Sequence, residues 1–209
     1  MNNYSLNFTS ATRKEQKKEM KPRDENKILD IYRATLRLVT EKGLAGITMG
    51  QIAKEAGLAT GTVYIYFTSK EALINSLFAV CRKTSADGYF RDFDPSAIFR
   101  DGFRKVWLNI LRYRTEKFEE AIFLEQCYHS PFITAGSREM ADQALQPLFS
   151  LIERGKKDRQ IRNIDTPWLL AFMIGSINEV IKHAHYNDKK LSKHLQEQLF
   201  DFCWEGLKT

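Results

Sequence analysis

Apolar residues recur three and four positions apart along most of this chain, which is the spacing of one face of an α-helix. The first such stripe contains Ile28, Leu36 and Val39 within residues 24–42, and Gly43 follows it as a helix stop. No segment alternates apolar and polar residues as a half-buried strand would. The pattern therefore predicts an all-α protein.

Further stripes predict helices through the rest of the chain. They cover residues 49–56, 60–66, 69–90, 99–110, 118–129, 137–157, 166–186 and 190–206. Pro147 lies inside the segment 137–157, and we expect it to kink that helix because proline lacks a backbone donor.

Two of the predicted helices are short and lie on either side of Gly57. Thr48 can cap a helix that begins at Met49, and Gly57 allows the left-handed backbone conformation that ends it. Ala53 is small enough for a second helix to cross the first at close range. The pattern predicts a helix-turn-helix, a motif that reads duplex DNA in the major groove.

The second helix of this pair should bury Val63 and Phe67 and leave hydroxyl groups on its other sides. Hydroxyls donate to phosphates and base edges, and a glycine lets the helix backbone approach the duplex. Lys70, in the first turn of the next helix, adds a cation that could face a phosphate. The predicted DNA contacts are Thr48, Thr60, Gly61, Thr62, Tyr64, Tyr66 and Lys70. The alternative is that both tyrosines are edges of the core and Lys70 is solvated.

Several residues in these positions match a known pattern. They are Thr48, Ala53, Gly57, Gly61, Thr62, Tyr64, Tyr66, Phe67, Ser69, Lys70 and Glu71. On these residues the chain resembles TetR-type transcriptional regulators over about residues 25–77, with one departure at Ala59, where a serine cap is common. The resemblance implies a dimeric repressor, not an enzyme, that a small apolar or amphipathic effector releases from its operator.

The formal net charge of +6 is concentrated in the amino-terminal third. Residues 1–70 contain 12 Lys and Arg against 7 Asp and Glu, and the remainder contains 20 against 19. A positive surface supplies salt-dependent affinity for the DNA backbone. We expect a disordered basic tail over residues 1–22, a DNA-binding domain over 23–69 and an effector-binding and dimerisation domain over 70–209. The tail either contacts DNA or is simply solvated.

The predicted helix over residues 166–186 is apolar around most of its circumference, so one neighbour cannot bury it. A second subunit would cover its other face, and the resemblance implies a four-helix dimer interface that includes the last helix. The candidate interface residues are Phe172, Gly175, Ile177, Leu195, Leu199 and Phe202. The alternative is a central helix in a monomer. A two-fold dimer would place two recognition helices in successive major grooves, which implies a palindromic operator.

Aromatic and polar residues of the larger domain are candidates for an effector cavity. They are Phe103, Trp107, Phe123, Glu125, Tyr128, His129 and Phe172, with Gln126 as a further polar anchor. The alternative for the aromatic members is an ordinary core, because core residues show the same helical spacing.

Other kinds of site find little support in the sequence. The three cysteines are odd in number and lack Cys-x-x-Cys spacing, so we expect buried thiols and no disulfide or metal site. His183 and His185 project to different sides of a helix, which disfavours a shared metal ion. No phosphate-binding glycine loop or nucleophile motif points to an enzyme or a cofactor.

No membrane span or secretory signal is apparent in the sequence. We therefore expect a cytoplasmic protein without a membrane partner. The remaining functional alternative is a helical small-molecule-binding or scaffold protein without sequence-specific DNA binding.

Overall fold

The computed structural model describes residues 24–209 and contains ten α-helices in that range. They are α1 (Glu25–Lys42), α2 (Met49–Glu55), α3 (Thr60–Tyr66), α4 (Lys70–Tyr89), α5 (Phe99–Glu116), α6 (Phe118–Tyr128), α7 (Ala135–Ala144), α8 (Gln146–Lys157), α9 (Thr166–Tyr186) and α10 (Lys193–Leu207). The only β pairing in the described range is a single bridge between Ile161 and Lys208. The predicted all-α class is confirmed. The predicted tail over residues 1–22 lies outside the described residues.

The predicted single helix over residues 137–157 is wrong. α7 ends at Ala144, and α8 begins at Gln146 with Leu145 between them. Pro147 lies in the first turn of α8, where a backbone N–H group would have no acceptor within the helix. The absence of this N–H group in proline therefore breaks no helical hydrogen bond. The proline therefore begins a new helix instead of kinking an existing one.

The described residues form two apolar cores. The N-terminal core contains residues of α1, α2 and α3, and it also takes in the first three turns of α4 and the second half of α6. Phe123 and Cys127 of α6 belong to the same cluster as Ile52 of α2 and Val63 of α3. The C-terminal core joins α5, α8, α9 and α10 to the end of α4 and the start of α6. Helices α4 and α6 therefore contribute to both cores.

Gln126 of α6 ties the two parts of the molecule together. Its side-chain oxygen accepts a hydrogen bond from the backbone N–H of Leu44 at 2.7 Å, and its amide nitrogen donates to the carbonyl oxygen of Val39 at 3.3 Å. These groups belong to the end of α1 and the turn after it. The expectation that Gln126 anchors an effector is therefore wrong, because both ends of its amide are already engaged in the fold.

A second connection joins α4 to the segment between α6 and α7. The Asn75 amide donates to the carbonyl oxygen of Phe132 at 2.8 Å, and its oxygen accepts from the backbone N–H of Thr134 at 3.0 Å. This bidentate contact fixes the segment beside the start of α4.

All three cysteines are free and buried, as the sequence predicted. Burial raises the pKa of Cys81 and of Cys127 to about 12 and that of Cys203 to about 11. The thiols therefore remain protonated at neutral pH and behave as small apolar groups. Every helix within residues 24–209 is too short or too polar to cross a lipid bilayer.

Gly155 of α8 packs directly against the ring of Phe99. A Cβ atom at this position would overlap the Phe99 ring carbons. We expect Gly155→Ala to lower the free energy of unfolding by roughly 1–3 kcal/mol, because overpacking outweighs the ~1 kcal/mol by which alanine favours a helix over glycine. Chemical denaturation measures the difference. Gly136→Ala is the control, since a Cβ there meets no atom within 4 Å. Equal stability of the two variants would contradict this packing.

Candidate functional site

Helix α2 begins with a reciprocal cap between Thr48 and Gln51. The Thr48 hydroxyl accepts from the backbone N–H of Gln51 at 3.3 Å, and the Gln51 side chain accepts from the backbone N–H of Thr48 at 2.9 Å. This is the capping box that satisfies two free donors at a helix start. The Thr48 side chain, a predicted DNA contact, is exposed and already has this structural role.

The turn between α2 and α3 is built on Gly57, whose φ of 67° lies in the left-handed region. The N–H groups of Gly57 and Leu58 donate to the carbonyl oxygens of Lys54 at 3.2 Å and Ala53 at 2.8 Å. This pair of bonds closes the carboxyl end of α2 in a Schellman motif. The turn therefore fixes the direction in which α3 leaves α2, as the sequence predicted for a helix-turn-helix.

Helix α3 has one buried side and one open side. Val63 is fully buried, and Phe67 is buried directly after the helix. The predicted contact residues Thr60, Gly61 and Tyr64 are exposed, and Thr62 and Tyr66 are partly buried. Tyr66 packs against the N-terminal core, so Tyr64 alone of the two tyrosines faces outward as expected.

Ile65 is a candidate contact residue that the sequence reasoning missed. Its side chain is 74 % exposed, although it lies in a seven-residue helix with a well-packed inner face. The sequence did indicate this exposure, because Ile65 follows Gly61 by one helical turn and lies on the opposite side of the helix from buried Val63. An exposed aliphatic group on a DNA-reading helix can contact the methyl group of thymine.

Gly61 lies on the open side of α3. A Cβ atom added there would meet no other atom within 4 Å, and the backbone does not adopt a positive φ. Neither packing nor backbone conformation within the protein therefore requires glycine at this position. Because glycine weakens a helix by about 1 kcal/mol relative to alanine, its presence favours a close approach by something outside the chain.

The sequence predicted that Lys70 faces outward toward a phosphate, but its ammonium group is turned toward the protein. Its ammonium donates to the carbonyl oxygens of Ile47 at 2.7 Å and Ala45 at 3.4 Å, and it lies 4.8 Å from the centre of the Phe132 ring. Burial lowers the pKa of Lys70. The expected phosphate contact is therefore replaced by a bracing contact, because the fold brings two carbonyl groups within reach of the ammonium.

Helix α3 carries no charged residue, so cations near it must come from neighbouring elements. Lys54, in the last turn of α2, is exposed. Arg37 of α1 is paired with Glu55 at 2.5 Å. Within residues 24–209, Lys54 is therefore the cation nearest to α3 along the chain that is exposed and has no ion pair.

Helices α9 and α10 both pack on α5, and each leaves large apolar side chains uncovered. On α9 these are Trp168, which is 72 % exposed, and Phe172. On α10 they are Leu195 and Phe202, of which Phe202 is 80 % exposed. We call these four residues the open apolar face.

The remaining interface candidates are placed differently. Ile177 is buried in the C-terminal core, so its assignment to the interface is wrong; it points to the opposite side of α9 from the open apolar face. Leu199 is partly buried against the same core. Gly175 has free space around it, since a Cβ there would meet no atom within 4 Å.

The predicted effector residues do not surround one cavity. Phe103 and Trp107 are buried against Phe200, with ring centres 6.2 and 5.8 Å from it, whereas Phe123 belongs to the N-terminal core. The polar and exposed members are also scattered: Glu125 pairs with Lys182, Tyr128 and His129 lie together on the surface, and Phe172 is on the open apolar face. The alternative of an ordinary core holds for the buried members.

A cleft of about 600 Å³ lies between α4 and α8. Its walls are mainly apolar, and they include Ala86, Phe90, Phe93, Pro95, Pro147, Leu151 and Arg154. Arg154 closes one side by donating to the carbonyl oxygen of Pro95 at 2.5 Å. None of the predicted effector residues lines this cleft.

His185 stacks on the ring of Phe118 with the ring centres 3.7 Å apart. Among residues 24–209, no group of three or more His, Cys, Asp or Glu residues is arranged to hold a metal ion. His185 also contacts the ring of Tyr186, with the ring centres 5.3 Å apart, whereas His183 is exposed.

Comparison with known proteins matches two consecutive parts of the chain to family models. Residues 31–77 match a family model described as bacterial regulatory proteins of the tetR family. Residues 78–209 match a second model, described as the tetracyclin repressor-like C-terminal domain. The two matches meet within α4, the helix that connects both cores.

Individual relatives are also regulators. The chain is 34 % identical over 90 residues to an HTH-type transcriptional regulator of Haemophilus influenzae, a match that spans 41 % of this chain and 46 % of that protein. It is 28 % identical over 146 residues to the HTH-type transcriptional regulator YhgD of Bacillus subtilis, covering 69 % and 76 % of the two chains. A solved TetR family transcription regulator from Marinobacter aquaeolei superposes with a TM-score of 0.80 at 26 % identity, covering 90 % of this chain and 99 % of that one.

Proposed function

Because this chain belongs to the TetR family of bacterial transcriptional regulators, we propose that it is a homodimeric repressor that binds a palindromic operator and releases it when a small effector binds. The observation that carries the proposal is the open side of α3. This side exposes hydroxyl groups, an isoleucine and a glycine without a packing role, and the turn at Gly57 fixes the direction of the helix. The family is one of regulators, so no catalytic step is involved.

Helix α3 enters the major groove in this proposal. Thr60, Thr62 and Ile65 contact base edges, Tyr64 contacts the phosphate backbone, and Gly61 lets the helix lie close to the duplex. Lys70 acts indirectly, because it holds the turn before α2 in place through two carbonyl groups. This assignment keeps four of the seven predicted contacts and adds Ile65. Thr48 caps α2, Tyr66 packs against the N-terminal core, and Lys70 braces the turn before α2.

A single seven-residue helix contacts too few bases for useful specificity, so two copies must act together. We place the contact between copies on the open apolar face, because exposed Trp168, Phe172 and Phe202 would otherwise remain in water. A two-fold axis through this face relates the two α3 helices, and the operator then carries two inverted half-sites.

The proposed effector occupies the cleft between α4 and α8. An apolar wall and a volume of about 600 Å³ suit a small apolar or amphipathic molecule. Ala86 of α4 and Phe90, directly after it, line the cleft, and α4 also belongs to the N-terminal core. An effector that favours one position of α4 would therefore change the separation of the two α3 helices. It would thereby shift an existing equilibrium away from the operator-bound state.

The proposal is tested by selecting binding sites from a random duplex library at two salt concentrations and sequencing the recovered sites. We expect a palindromic consensus whose affinity falls as salt rises, because cations near α3 release counterions from the phosphates. Recovery of salt-sensitive fragments without a consensus would instead favour a helical small-molecule-binding protein that no longer reads an operator. An asymmetric consensus would contradict the two-fold arrangement.

A further inference from the structure

Arg154 of α8 is the one cation among the described residues that line the cleft between α4 and α8. Its Nη1 atom donates to the carbonyl oxygen of Pro95 at 2.5 Å, and its guanidinium carbon lies 5.7 Å from the centre of the Phe99 ring. The other two nitrogen atoms, Nε and Nη2, are enclosed by the protein and have no acceptor within residues 24–209. Three of the five N–H donors of this side chain are therefore unused.

The unused donors share one edge of the guanidinium plane. Nε and Nη2 direct two N–H bonds side by side, and their spacing matches the two oxygens of a carboxylate. Gly102 of α5 lies beside this edge, since a Cβ atom there would be 3.8 Å from Nη2 and 3.3 Å from a ring carbon of Phe93. Phe93 also lines the cleft, so the unused edge lies near a side chain of the cleft wall.

No carboxylate within residues 24–209 forms an ion pair with Arg154. Its neighbour Glu153 binds the ammonium of Lys156 at 2.8 Å. Asp94, next to the segment that Arg154 contacts, accepts hydrogen bonds from the backbone N–H and the hydroxyl of Ser96. An enclosed, charged group with unused donors has a free-energy cost, and an acceptor from outside the chain would remove it. The contacts of Arg154 therefore favour a ligand that supplies such an acceptor.

Asp87 of α4 is the one carboxylate among the described residues that line the cleft, and it is exposed. Its charge disfavours an anion and would favour a cation, so Asp87 and Arg154 favour opposite ligands. Water solvates and screens an exposed carboxylate, whereas the unused donors of Arg154 are enclosed. We therefore expect Arg154 to determine the charge of the ligand.

We propose that the effector is an amphipathic carboxylate, whose head group binds the Nε–Nη2 edge of Arg154 and whose hydrocarbon part lies along the apolar walls of the cleft. These walls include Phe90, Phe93 and Leu151, the last of which precedes Arg154 by almost one turn of α8. Because both donors are enclosed here, binding includes a rotation of the Arg154 or Phe93 side chain. This inference rests on the proposed function, because it assigns a chemical class to the effector.

The test compares three ten-carbon probes on the full chain by calorimetric titration, below their micelle-forming concentrations: decanoate, 1-decanol and decylammonium. The variant Arg154→Met removes the charge and all the donors. Arg154→Lys keeps a charge that can still donate to the Pro95 carbonyl but lacks the planar edge. The matched control is Lys157→Met, which removes an exposed charge from the end of the same helix, outside the cleft.

We expect decanoate to bind the wild-type chain at least about tenfold more tightly than 1-decanol, because two charge-assisted hydrogen bonds supply the difference. Decylammonium should bind most weakly. Arg154→Met should bind decanoate and 1-decanol about equally, Arg154→Lys should retain only part of the preference, and Lys157→Met should behave as wild type. The affinity for 1-decanol should change by less than about threefold in every variant, which would show that the cleft itself is intact.

Equal binding of decanoate and 1-decanol by the wild-type chain would overturn the inference, as would a preference for decanoate that survives in Arg154→Met. Tightest binding of decylammonium would overturn it too, because Asp87 would then determine the charge of the ligand. If circular dichroism shows that Arg154→Met does not fold, Arg154→Lys decides the matter. A full wild-type preference in that variant would mean that the planar edge does not bind the carboxylate.

The link to regulation is measured on the same preparations by mobility shift on the selected operator. Decanoate should weaken operator binding by the wild-type chain and by Lys157→Met, and it should leave Arg154→Met bound. If decanoate binds at Arg154 without affecting the operator, the effector is not a carboxylate bound at this site. Operator binding by a protein without a preference for decanoate would reject this inference and leave the proposed function intact, whereas a decanoate preference without any operator would do the reverse.

Discussion

Replacing Phe202 by glutamate is expected to convert the protein from a dimer into monomers and to weaken operator binding by about 100-fold or more. The side chain is 80 % exposed in the single chain, so the change leaves the fold of each subunit intact. In a two-fold interface the variant would bury two unpaired carboxylates, each at a cost of several kcal/mol, and every 1.4 kcal/mol corresponds to a factor of ten. Light scattering after size exclusion measures the mass, and a mobility-shift titration measures the affinity.

The conservative variant Phe202→Leu is the control for this change, because it keeps an apolar side chain and should remain dimeric. Unfolding temperatures of both variants establish that the subunits are folded. A Phe202→Glu protein that stays dimeric would show that α10 does not form the interface. In that case Trp168→Glu on α9 would test the other half of the open apolar face.

Replacing Gly61 by leucine is expected to lower operator affinity by about 100-fold while leaving the protein as stable as before, or more stable by up to about 1 kcal/mol. Free space surrounds Gly61 within the protein, so the new side chain meets no obstacle in the free chain. The same side chain would occupy the gap through which α3 approaches the bases. Gly61→Ala should have a smaller effect of the same sign, since it adds one methyl group.

Gly136→Leu is the matched control for Gly61→Leu. Gly136 is also a helical glycine with no atom near its added Cβ, but it lies in α7. Its replacement should leave operator affinity unchanged. Equal affinities for the Gly61→Leu variant and the wild type would mean that the open side of α3 does not face DNA.

Local chemistry explains which features could be predicted from the sequence. The cap at Thr48 and the turn at Gly57 depend on residues at most five positions apart, and both appear in the structure as expected. The helices α1 and α9 likewise follow from apolar spacing and from their end signals. The helix-turn-helix could therefore be predicted almost completely, because each of its determinants acts over one or two turns.

Features that depend on packing between distant segments could not be predicted. Lys70 binds the carbonyl groups of Ala45 and Ile47 because the fold brings a segment about 25 positions away against α4. Ile177 and Phe172 are equally apolar, and periodicity alone does not tell which side of α9 faces α5. The cleft also escaped prediction, since an aromatic residue has the same spacing whether it fills a core or borders a cavity.

The N-terminal core has a consequence for attempts to exchange the DNA-reading part of this protein with that of a relative. A chimera joined at residues 69 and 70 would place the α1–α3 helices of the relative against native Phe123, Cys127 and Gln126. These three residues fit the native α1–α3 helices and would not fit those of the relative. Such a graft keeps the chain continuous and still breaks the core. The residues to exchange together are those of the whole N-terminal core. They include the first three turns of α4 and the core-facing residues of α6 as well as α1–α3. A hybrid regulator designed on that boundary should fold, whereas one designed on the linear boundary should lose stability before its operator preference can be read.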